Sequence, residues 1–299
     1  MPSLTRRELM LSSLAAASLR ALPLARIRLG VTTDEIDDDV LKSARFLEDH
    51  GLKWAEVRNI WGPYNTDQPV DKVREAAKIF DEAGLKVSIL DTGFFKIPLP
   101  PEGAAGQKTL DEQWKLLDAA MERARIFGTR KLRVFTFMLA KGEAPSAKSY
   151  ARIDELMREA ARRARGFSLA VENIGGGHVW SGAESGEFLK RVRESNVGLA
   201  WDPNNAAESG ENSFPDGYRK IDPKRILHVH LRDYRHENGK VVWAAVGAGE
   251  FDNTGQIRAL LKDGYRETFT LETHWRDPKG KLYSTETSLA GLLKAIEKV

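Results

Sequence analysis

The sequence predicts an α/β protein with a single domain, a closed (β/α)8 TIM barrel, preceded by a short signal-like segment. From residue 27 onward, eight short hydrophobic segments alternate with amphipathic segments at intervals of roughly 30–45 residues, the repeat that such a barrel requires. The 299 residues also suit this fold, because barrels of about 250 residues commonly form one domain. We therefore assign residues 27–299 to the barrel and residues 1–26 to an N-terminal extension.

The hydrophobic segments are the predicted strands, and glycine-terminated helical segments fill the gaps between them. The predicted strands are Ile27–Thr32, Trp54–Ile60, Lys86–Asp91, Lys131–Phe137, Ser168–Glu172, Val197–Asp202, Ile226–His230 and Thr268–Glu272. The predicted helices are Asp38–His50, Val70–Ala83, one opened by a capping box at Thr109–Glu112 and ending near Gly128, Ser149–Arg165, Ser185–Glu194, Thr254–Asp263 and Thr285–Lys298.

Two features separate a closed barrel from an open doubly wound sheet. The first βα turns carry neither a G-x-G-x-x-G nor a P-loop pattern. Metal-binding residue types also end several strands that an open sheet would spread apart. Between Asp202 and Ile226 the sequence favours no strong helix, only a short turn near Asp216–Lys220.

The N-terminal extension resembles a bacterial twin-arginine (Tat) export signal. Arg6 and Arg7 precede the mildly apolar stretch Met10–Leu19, and small residues follow where a signal would be cleaved. An amphipathic N-terminal helix is the alternative, because Arg20 interrupts the apolar stretch. The stretch is too short and too polar to span a bilayer. The sequence therefore predicts an exported, periplasmic protein, with a cytoplasmic location as the alternative.

Composition excludes several functional classes. Cysteine is absent, so disulfides, thiolate nucleophiles and cysteine-ligated zinc are excluded. The formal net charge of +3 is small and the basic residues are interspersed with acidic ones, which argues against a nucleic-acid partner. The expected partner is a small-molecule carbohydrate, and a homo-oligomer stays open.

Four predicted strands end on a residue able to bind a divalent metal: Glu172, Asp202, His230 and Glu272. Counting back by twos from each one gives a mostly small strand face, whereas the opposite face is large and apolar. This parity directs the four side chains to the inside of the barrel at one end. Active sites of TIM barrels lie at that end of their strands.

Three carboxylates and one imidazole form an oxygen-rich ligand set. Such a set favours Mn²⁺, with Mg²⁺, Co²⁺ or Zn²⁺ as alternatives. Around an octahedral ion it leaves two adjacent positions, which the carbonyl and a neighbouring hydroxyl of a sugar could fill. Glu172 and Glu272 could then act as the base and the acid that move a proton between adjacent carbons.

Other polar residues near the strand ends are candidate substrate contacts. Glu56 and Arg58 share a face of the second strand, and Asp91 ends the third. Ion pairing within the barrel wall is the alternative for all three. Two histidines, His274 beyond the last strand and His178 in a glycine-rich loop, could contact substrate or simply be exposed.

Two other residues, His228 and Trp201, lie within the predicted strands. His228 shares the inward face with His230 but lies one layer deeper, so we expect a hydrogen-bonded interior histidine. Trp201 lies on the outward face and is expected in the core.

The strand-end motifs resemble the xylose-isomerase-like TIM-barrel superfamily of sugar-phosphate isomerases and epimerases, over nearly all of Ile27–Val299. The matching motifs are AEV (55–57), AVEN (170–173), WDPNN (201–205), HVHLRD (228–233), VGAGEFD (246–252) and LE (271–272). The resemblance implies that Glu172, Asp202, His230 and Glu272 bind a metal ion. In the ketose 3-epimerase branch, the residues matching the two glutamates also transfer the proton.

Two positions depart from the family pattern. Asn205 stands where epimerases usually carry a substrate-binding histidine, and Arg232 stands where many relatives have lysine. We expect both residues to bind substrate. The predicted function is a metal-dependent sugar isomerase or epimerase working through an enediolate. The alternatives are a lyase or dehydratase acting on a keto-sugar or keto-inositol, and a non-catalytic carbohydrate-binding barrel.

Overall fold

The computed structural model describes residues 27–299, and in this range the chain forms a closed parallel barrel surrounded by helices. The barrel strands are β1 (Arg28–Thr32), β2 (Trp54–Val57), β3 (Lys86–Asp91), β4 (Lys131–Val134), β5 (Ser168–Glu172), β6 (Val197–Trp201), β7 (Ile226–Leu231) and β10 (Thr268–Leu271). Their order around the barrel follows the chain, and β10 closes on β1. The predicted (β/α)8 barrel is thus confirmed, whereas the predicted export signal lies outside the described residues.

Helices pack on the outside of this barrel between successive strands. They are α1 (Thr33–Ile36), α2 (Val40–Asp49), α3 (Val70–Glu82), α4 (Ala104–Ile126), α5 (Ala147–Arg163), α6 (Gly182–Arg191), α7 (Pro203–Glu208), α8 (Asn253–Lys262) and α9 (Lys281–Ile296). Side-chain caps fix several of their starts, for example Ser181, whose hydroxyl accepts from the Glu184 N–H while Glu184 bonds back. Within residues 27–299, no helix has the length and apolarity needed to cross a membrane.

The barrel closes through parallel pairing of its first strand, β1, with its last strand, β10. Arg28 pairs with Thr268, and three further pairs follow up to Val31 with Leu271. A register shift between Leu199 and Ala200 in the pairing of β6 with β7 lets the curved sheet complete its turn.

The apolar residues divide into two layers, as the strand parity predicts. The large outward-facing residues pack under the helices in one extended core, and Trp201 is fully buried there with its indole N–H donating to Gln256 on α8 at 3.2 Å. The small inward residues Ala170 and Ala200 form a separate cluster with Ile89 inside the barrel. This small interior leaves room for polar side chains at the strand ends.

Several element boundaries differ from the prediction. The capping box at Thr109 is wrong as a helix start, because α4 begins at Ala104 after Gly103, whose φ of 92° suits glycine. Strands β2 and β4 end three residues early, at Val57 and Val134. Helix α7, which the sequence did not predict, directly follows β6.

An antiparallel hairpin after β7 was also missed. Its strands are β8 (Asp233–Glu237) and β9 (Lys240–Ala244). The turn residues Asn238 and Gly239 both have positive φ, which is the two-residue type I′ turn that an Asn-Gly pair favours. The sequence therefore carried the hairpin signal.

Candidate metal centre

The four predicted metal ligands converge at the carboxyl end of the barrel. Each offers one ligand atom, and these atoms lie within 4.8 Å of one another. The Nδ1 atom of His230 is 3.2 Å from Oε2 of Glu272, 3.5 Å from Oε1 of Glu172 and 3.7 Å from Oδ2 of Asp202. All four residues are buried. The parity argument therefore placed the four side chains correctly.

The hydrogen bonds of His230 prepare Nδ1 to bind a cation. Its Nε2 is 2.9 Å from Oε1 of Glu56, and because a carboxylate only accepts, Nε2 carries a proton. Among residues 27–299, neither Nδ1 nor Oε2 of Glu272 has a hydrogen-bond partner, although the two atoms lie 3.2 Å apart. Burial lowers the pKa of His230, but Glu56 and Glu272 outweigh it and hold the pKa well above its ordinary value. Nδ1 therefore carries a proton among the carboxylates, and a divalent metal ion would take the place of that proton.

Glu56, predicted as a substrate contact, lies below this centre. It is fully buried on β2, and its two oxygens accept from Nε2 of His230 and from Nε2 of His228, the latter at 2.6 Å. Burial raises the pKa of Glu56, but His230 and His228 outweigh it and hold the pKa well below its ordinary value. His228 is the hydrogen-bonded interior histidine that the sequence predicts.

Asp202 has two roles at the start of α7, one for each carboxylate oxygen. Its Oδ1 accepts from the N–H groups of Asn204 and Asn205 at 2.8 and 2.9 Å, which caps the helix. Its Oδ2 points to the centre and accepts from the Arg232 guanidinium. The same guanidinium donates to Oδ1 of Asn205 at 2.8 Å, and Asn205 donates to Oε1 of Glu172 at 3.2 Å. The two positions that depart from the family pattern thus contact each other and the metal-ligand candidates.

Each candidate catalytic glutamate has one oxygen at the centre and the other against an arginine. Glu172 Oε2 is 3.0 Å from Arg133 on β4. Glu272 Oε1 accepts from Arg58 at 2.6 Å. Arg58 follows β2 and Arg133 lies on β4, so a different strand supplies the arginine that fixes each carboxylate.

The two arginines are themselves fixed by other acids. Arg58, just beyond β2, bonds to Asp34 at 2.8 Å and to Glu35 at 2.6 Å. Arg133 lies 3.2 Å from Asp91, the predicted substrate contact at the end of β3. Asp91 is fully buried, and burial, opposed by Arg133 and reinforced by Glu56, raises its pKa well above the ordinary value.

His274 lies at the open rim, where it is partly exposed. Its Nε2 is 3.4 Å from Oε1 of Glu272, and its Nδ1 contacts the Arg232 guanidinium. Trp243 of the hairpin covers this pair: its ring centroid lies 4.4 Å from the Arg232 guanidinium carbon and 5.8 Å from the His274 ring. The hairpin therefore forms one wall of the site.

The charges around the centre keep both glutamates ionised. Burial raises the pKa of Glu172, but Arg133 and His230 outweigh it and leave the pKa below its ordinary value. Burial also raises the pKa of Glu272, but His274 and His230 hold it well below. Both carboxylates can therefore bind a cation or accept a proton near neutral pH.

Sequence reasoning missed several residues that organise the site. Arg133 is a charged residue between Leu132 and Val134 on a buried strand, a pattern that could have indicated an interior ion pair. Asp34 and Glu35 follow β1 directly, so a strand-end search for acids would have found them. Trp243 reaches the site only through the hairpin, so recognising the Asn-Gly turn was the one route to it.

Fold and site together define a TIM barrel with a candidate divalent-metal centre at the carboxyl ends of its strands. The sequence model of the xylose isomerase-like TIM barrel family matches residues 44–295, and the chain belongs to that family. The family predicted from the strand-end motifs is thus confirmed. A comparison with curated proteins found no match.

Solved structures share the fold at low sequence identity. The IOLI protein with a bound zinc atom has a TM-score of 0.74 and 17% identity, covering 91% of this chain and 99% of its own. A xylose isomerase-like TIM-barrel protein from Mycobacterium smegmatis in complex with magnesium has a TM-score of 0.66 and 19% identity, covering 91% and 96%. A D-psicose 3-epimerase in the presence of D-fructose has a TM-score of 0.71 and 16% identity, covering 91% and 100%. Several fold neighbours are thus sugar epimerases or metal-containing barrels.

Proposed function

We propose that this protein is a divalent-metal-dependent sugar isomerase or epimerase that moves a proton on a carbon beside a carbonyl. One observation carries the proposal: two ionised glutamates, from β5 and the end of β10, converge on one buried ligand cluster. Each glutamate has one oxygen at the cluster and the other against its own arginine, so both carboxylates are fixed independently of a bound ion. Membership of the xylose isomerase-like family supports the same conclusion.

The ligand set fits Mn²⁺ best, with Mg²⁺, Co²⁺ or Zn²⁺ as alternatives, because three of its four donors are carboxylates. Glu172, Asp202, His230 and Glu272 would hold the ion, and Nδ1 of His230 faces the three carboxylates and would lose its proton to bind it. A bound divalent ion would supply positive charge to stabilise the enediolate that forms when the proton leaves.

In this proposal Glu172 and Glu272 exchange the substrate proton. One carboxylate takes the proton from the carbon beside the carbonyl, and the other, once protonated, returns a proton to the opposite face or to the neighbouring carbon. Arg133 and Arg58 hold these groups in place through the oxygens that do not face the centre. The substrate lies between them.

Four residues at the rim are the proposed substrate contacts: Arg232, Asn205, Arg58 and His274. The Arg232 guanidinium donates to Asp202 and to Oδ1 of Asn205, and the Asn205 amide donates to Glu172; a sugar hydroxyl can accept or exchange these hydrogen bonds. Trp243 offers an apolar face beside them. Glu56 and Asp91 lie deeper, and we propose that they support His230 and Arg133.

Deuterium uptake tests the proposal. The protein is incubated with Mn²⁺ and a panel of ketoses and keto-sugars in deuterated water, and product masses are measured. An isomer carrying deuterium at the exchanged carbon is expected. Glu172→Gln and Glu272→Gln should each lower the exchange rate by about 10²- to 10⁴-fold. Glu187→Gln, at an exposed α6 glutamate paired with Lys190, is the matched control and should exchange normally.

The same experiment separates the alternatives. Loss of water or of a substituent would identify a lyase or dehydratase acting at this site. Binding without hydrogen exchange for any sugar would identify a carbohydrate-binding barrel. Wild-type exchange in either glutamine variant would contradict the assigned roles.

A further inference from the structure

A cavity lies at the carboxyl end of the barrel, beyond β3, β4 and β5. Its volume is about 450 Å³, and the loops that follow β3, β4 and β5 line it through Leu99, Pro101, Glu143 and His178, together with Ser149 and Arg152 of the first turns of α5. None of the four metal-ligand candidates lines it. Since all three loops follow strand ends, this cavity opens at the same end of the barrel as the centre.

His178 is the buried polar group of this cavity. Its exposed fraction is 2%, and its Nδ1 lies 3.1 Å from the carbonyl oxygen of Phe137. A carbonyl only accepts, so Nδ1 carries the proton and Nε2 of the neutral ring is an acceptor. Among residues 27–299, the contact of Nδ1 with Phe137 is the one hydrogen bond of the ring, and the ring lies against Tyr150 with centroids 6.3 Å apart. The cavity thus contains a fixed hydrogen-bond acceptor, Nε2 of His178, to which a ligand can donate.

The rest of the lining indicates the chemistry of the ligand. The charged residues of the wall balance: Lys148 and Arg152 stand against Glu102 and Glu143, and Lys148 pairs with Glu102 at 3.2 Å. Such a wall does not select a net charge. The consecutive Leu99, Pro100 and Pro101 give an apolar surface opposite the imidazole. A neutral ligand with hydroxyl donors on one side and C–H groups on the other meets both requirements, as a sugar ring does.

A short path of contacts joins the cavity to the metal centre. Arg133, 3.0 Å from Glu172, lies with its guanidinium carbon 5.0 Å from the centroid of Phe135. The ammonium of Lys96 lies 4.9 Å from the same centroid, in the loop after β3 that also contains Leu99. Strands β3, β4 and β5 thus supply Asp91, Arg133 and Glu172 at the centre, and the segments that follow the same three strands line the cavity.

We propose that this cavity is a subsite for a second sugar ring, so that the natural substrate is a glycoside whose carbonyl-bearing ring lies at the metal centre. The link between the two rings rests on the proposed function. A hydroxyl of the second ring donates to Nε2 of His178, and the ring face packs on Leu99, Pro100 and Pro101.

Direct binding is tested with methyl α-D-glucopyranoside, a sugar without a reactive carbonyl. Imidazole ¹⁵N resonances of the full-length protein are recorded by long-range ¹H–¹⁵N correlation, with the His178 signals assigned from their absence in His178→Phe. We expect an Nδ1-protonated pattern and a saturable shift of the Nε2 resonance. His178→Gln, whose amide oxygen can still accept, should bind the sugar more tightly than His178→Phe. No shift at concentrations well above a millimolar Kd would overturn the proposal.

Kinetics test the link to the metal centre. Deuterium exchange is compared for D-fructose and for four α-glucosyl-fructoses with a free carbonyl, linked through O3, O4, O5 and O6: turanose, maltulose, leucrose and isomaltulose. At least one should exceed fructose in kcat/KM, and His178→Phe should lower that preference about fivefold, the effect of one neutral hydrogen bond. His236→Phe, at an exposed hairpin histidine, is the control and should leave the preference unchanged.

The outcomes of these tests are distinguishable. Exchange into fructose without any preference for a glucosyl-fructose would overturn the subsite and leave the proposed function standing. No exchange into any ketose, together with a saturable His178 shift, would contradict the proposed function and support the sugar-binding cavity.

Discussion

Replacing Glu56 by glutamine tests how the barrel prepares His230 for a metal ion. The carboxylate of Glu56 accepts hydrogen bonds from Nε2 of both His230 and His228, at 2.9 and 2.6 Å. A glutamine of the same shape offers one acceptor oxygen and one donor NH₂ group. One histidine must then face a donor, and if this is His230, its proton moves to Nδ1, the atom that faces the candidate ligands.

The size of the effect follows from the two contacts. Both are charge-assisted hydrogen bonds of normal or short length, and both become neutral or are lost in the Glu56→Gln variant. Loss of such a carboxylate behind a metal-ligating histidine typically costs about 10- to 100-fold in metal affinity. This corresponds to about 1.4–2.7 kcal/mol of binding free energy.

The assay is a titration of chelator-treated protein with Co²⁺ or Mn²⁺, read by calorimetry. Circular dichroism and urea unfolding establish that the variant is folded. Glu75→Gln, at an exposed α3 glutamate paired with Lys72, is the matched control and should keep the wild-type Kd. A folded Glu56→Gln protein with an unchanged Kd would refute the role of this carboxylate in holding His230.

Three further predictions concern stability. A saturating divalent metal at about 100 times its Kd should raise the free energy of unfolding by about 2.7 kcal/mol, and thermal scans with and without chelator showing equal stability would contradict a native metal site. Trp201→Ala should cost about 3–5 kcal/mol in urea unfolding, because the indole is fully buried and bonded to Gln256; a loss below about 1 kcal/mol would contradict this packing. The charged neighbours of Glu172, Asp202 and Glu272 lower the pKa values of these carboxyls despite burial. In chelator, their contribution to the free energy of unfolding should therefore be fully present above the ordinary carboxyl pKa of about 4 and lost as the pH falls further. Unfolding free energies that stay flat from about pH 6 to about pH 3 would contradict this.

Strand parity was enough to predict the fold and the ligand cluster. Alternation places Ala170 on the same face as Glu172, and Ala200 inside the barrel next to Asp202, so a small interior and a polar rim follow from local sequence alone. The closed barrel then brings together strand ends that lie up to a hundred residues apart.

Contacts between distant side chains could not be predicted in this way. The sequence places Glu56 on one face of the second strand but does not show that its partners are His228 and His230, on a strand more than 170 residues away. The same applies to the hydrogen bond from Arg58 to Glu272, because Arg58 lies just beyond β2, which ends at Val57 and not at the predicted Ile60.

Some errors arose from local structure. Helix α4 begins at Ala104, before the predicted capping box, and Gly106 in its first turn packs directly on the Pro101 carbonyl with no room for a side chain. That contact involves backbone packing that residue type alone does not indicate. The twin-arginine export signal, the periplasmic location and a homo-oligomeric state stay predictions.

The barrel can close only after its last strand has been synthesised, because the first strand pairs with the last. During synthesis, β1 leaves the ribosome more than two hundred residues before the partner on its open side, β10. Until then the growing sheet has an uncovered edge, which favours association with other chains and slows the final step of folding. A chain truncated before residue 268 would keep that edge permanently, and we expect it to accumulate as insoluble protein.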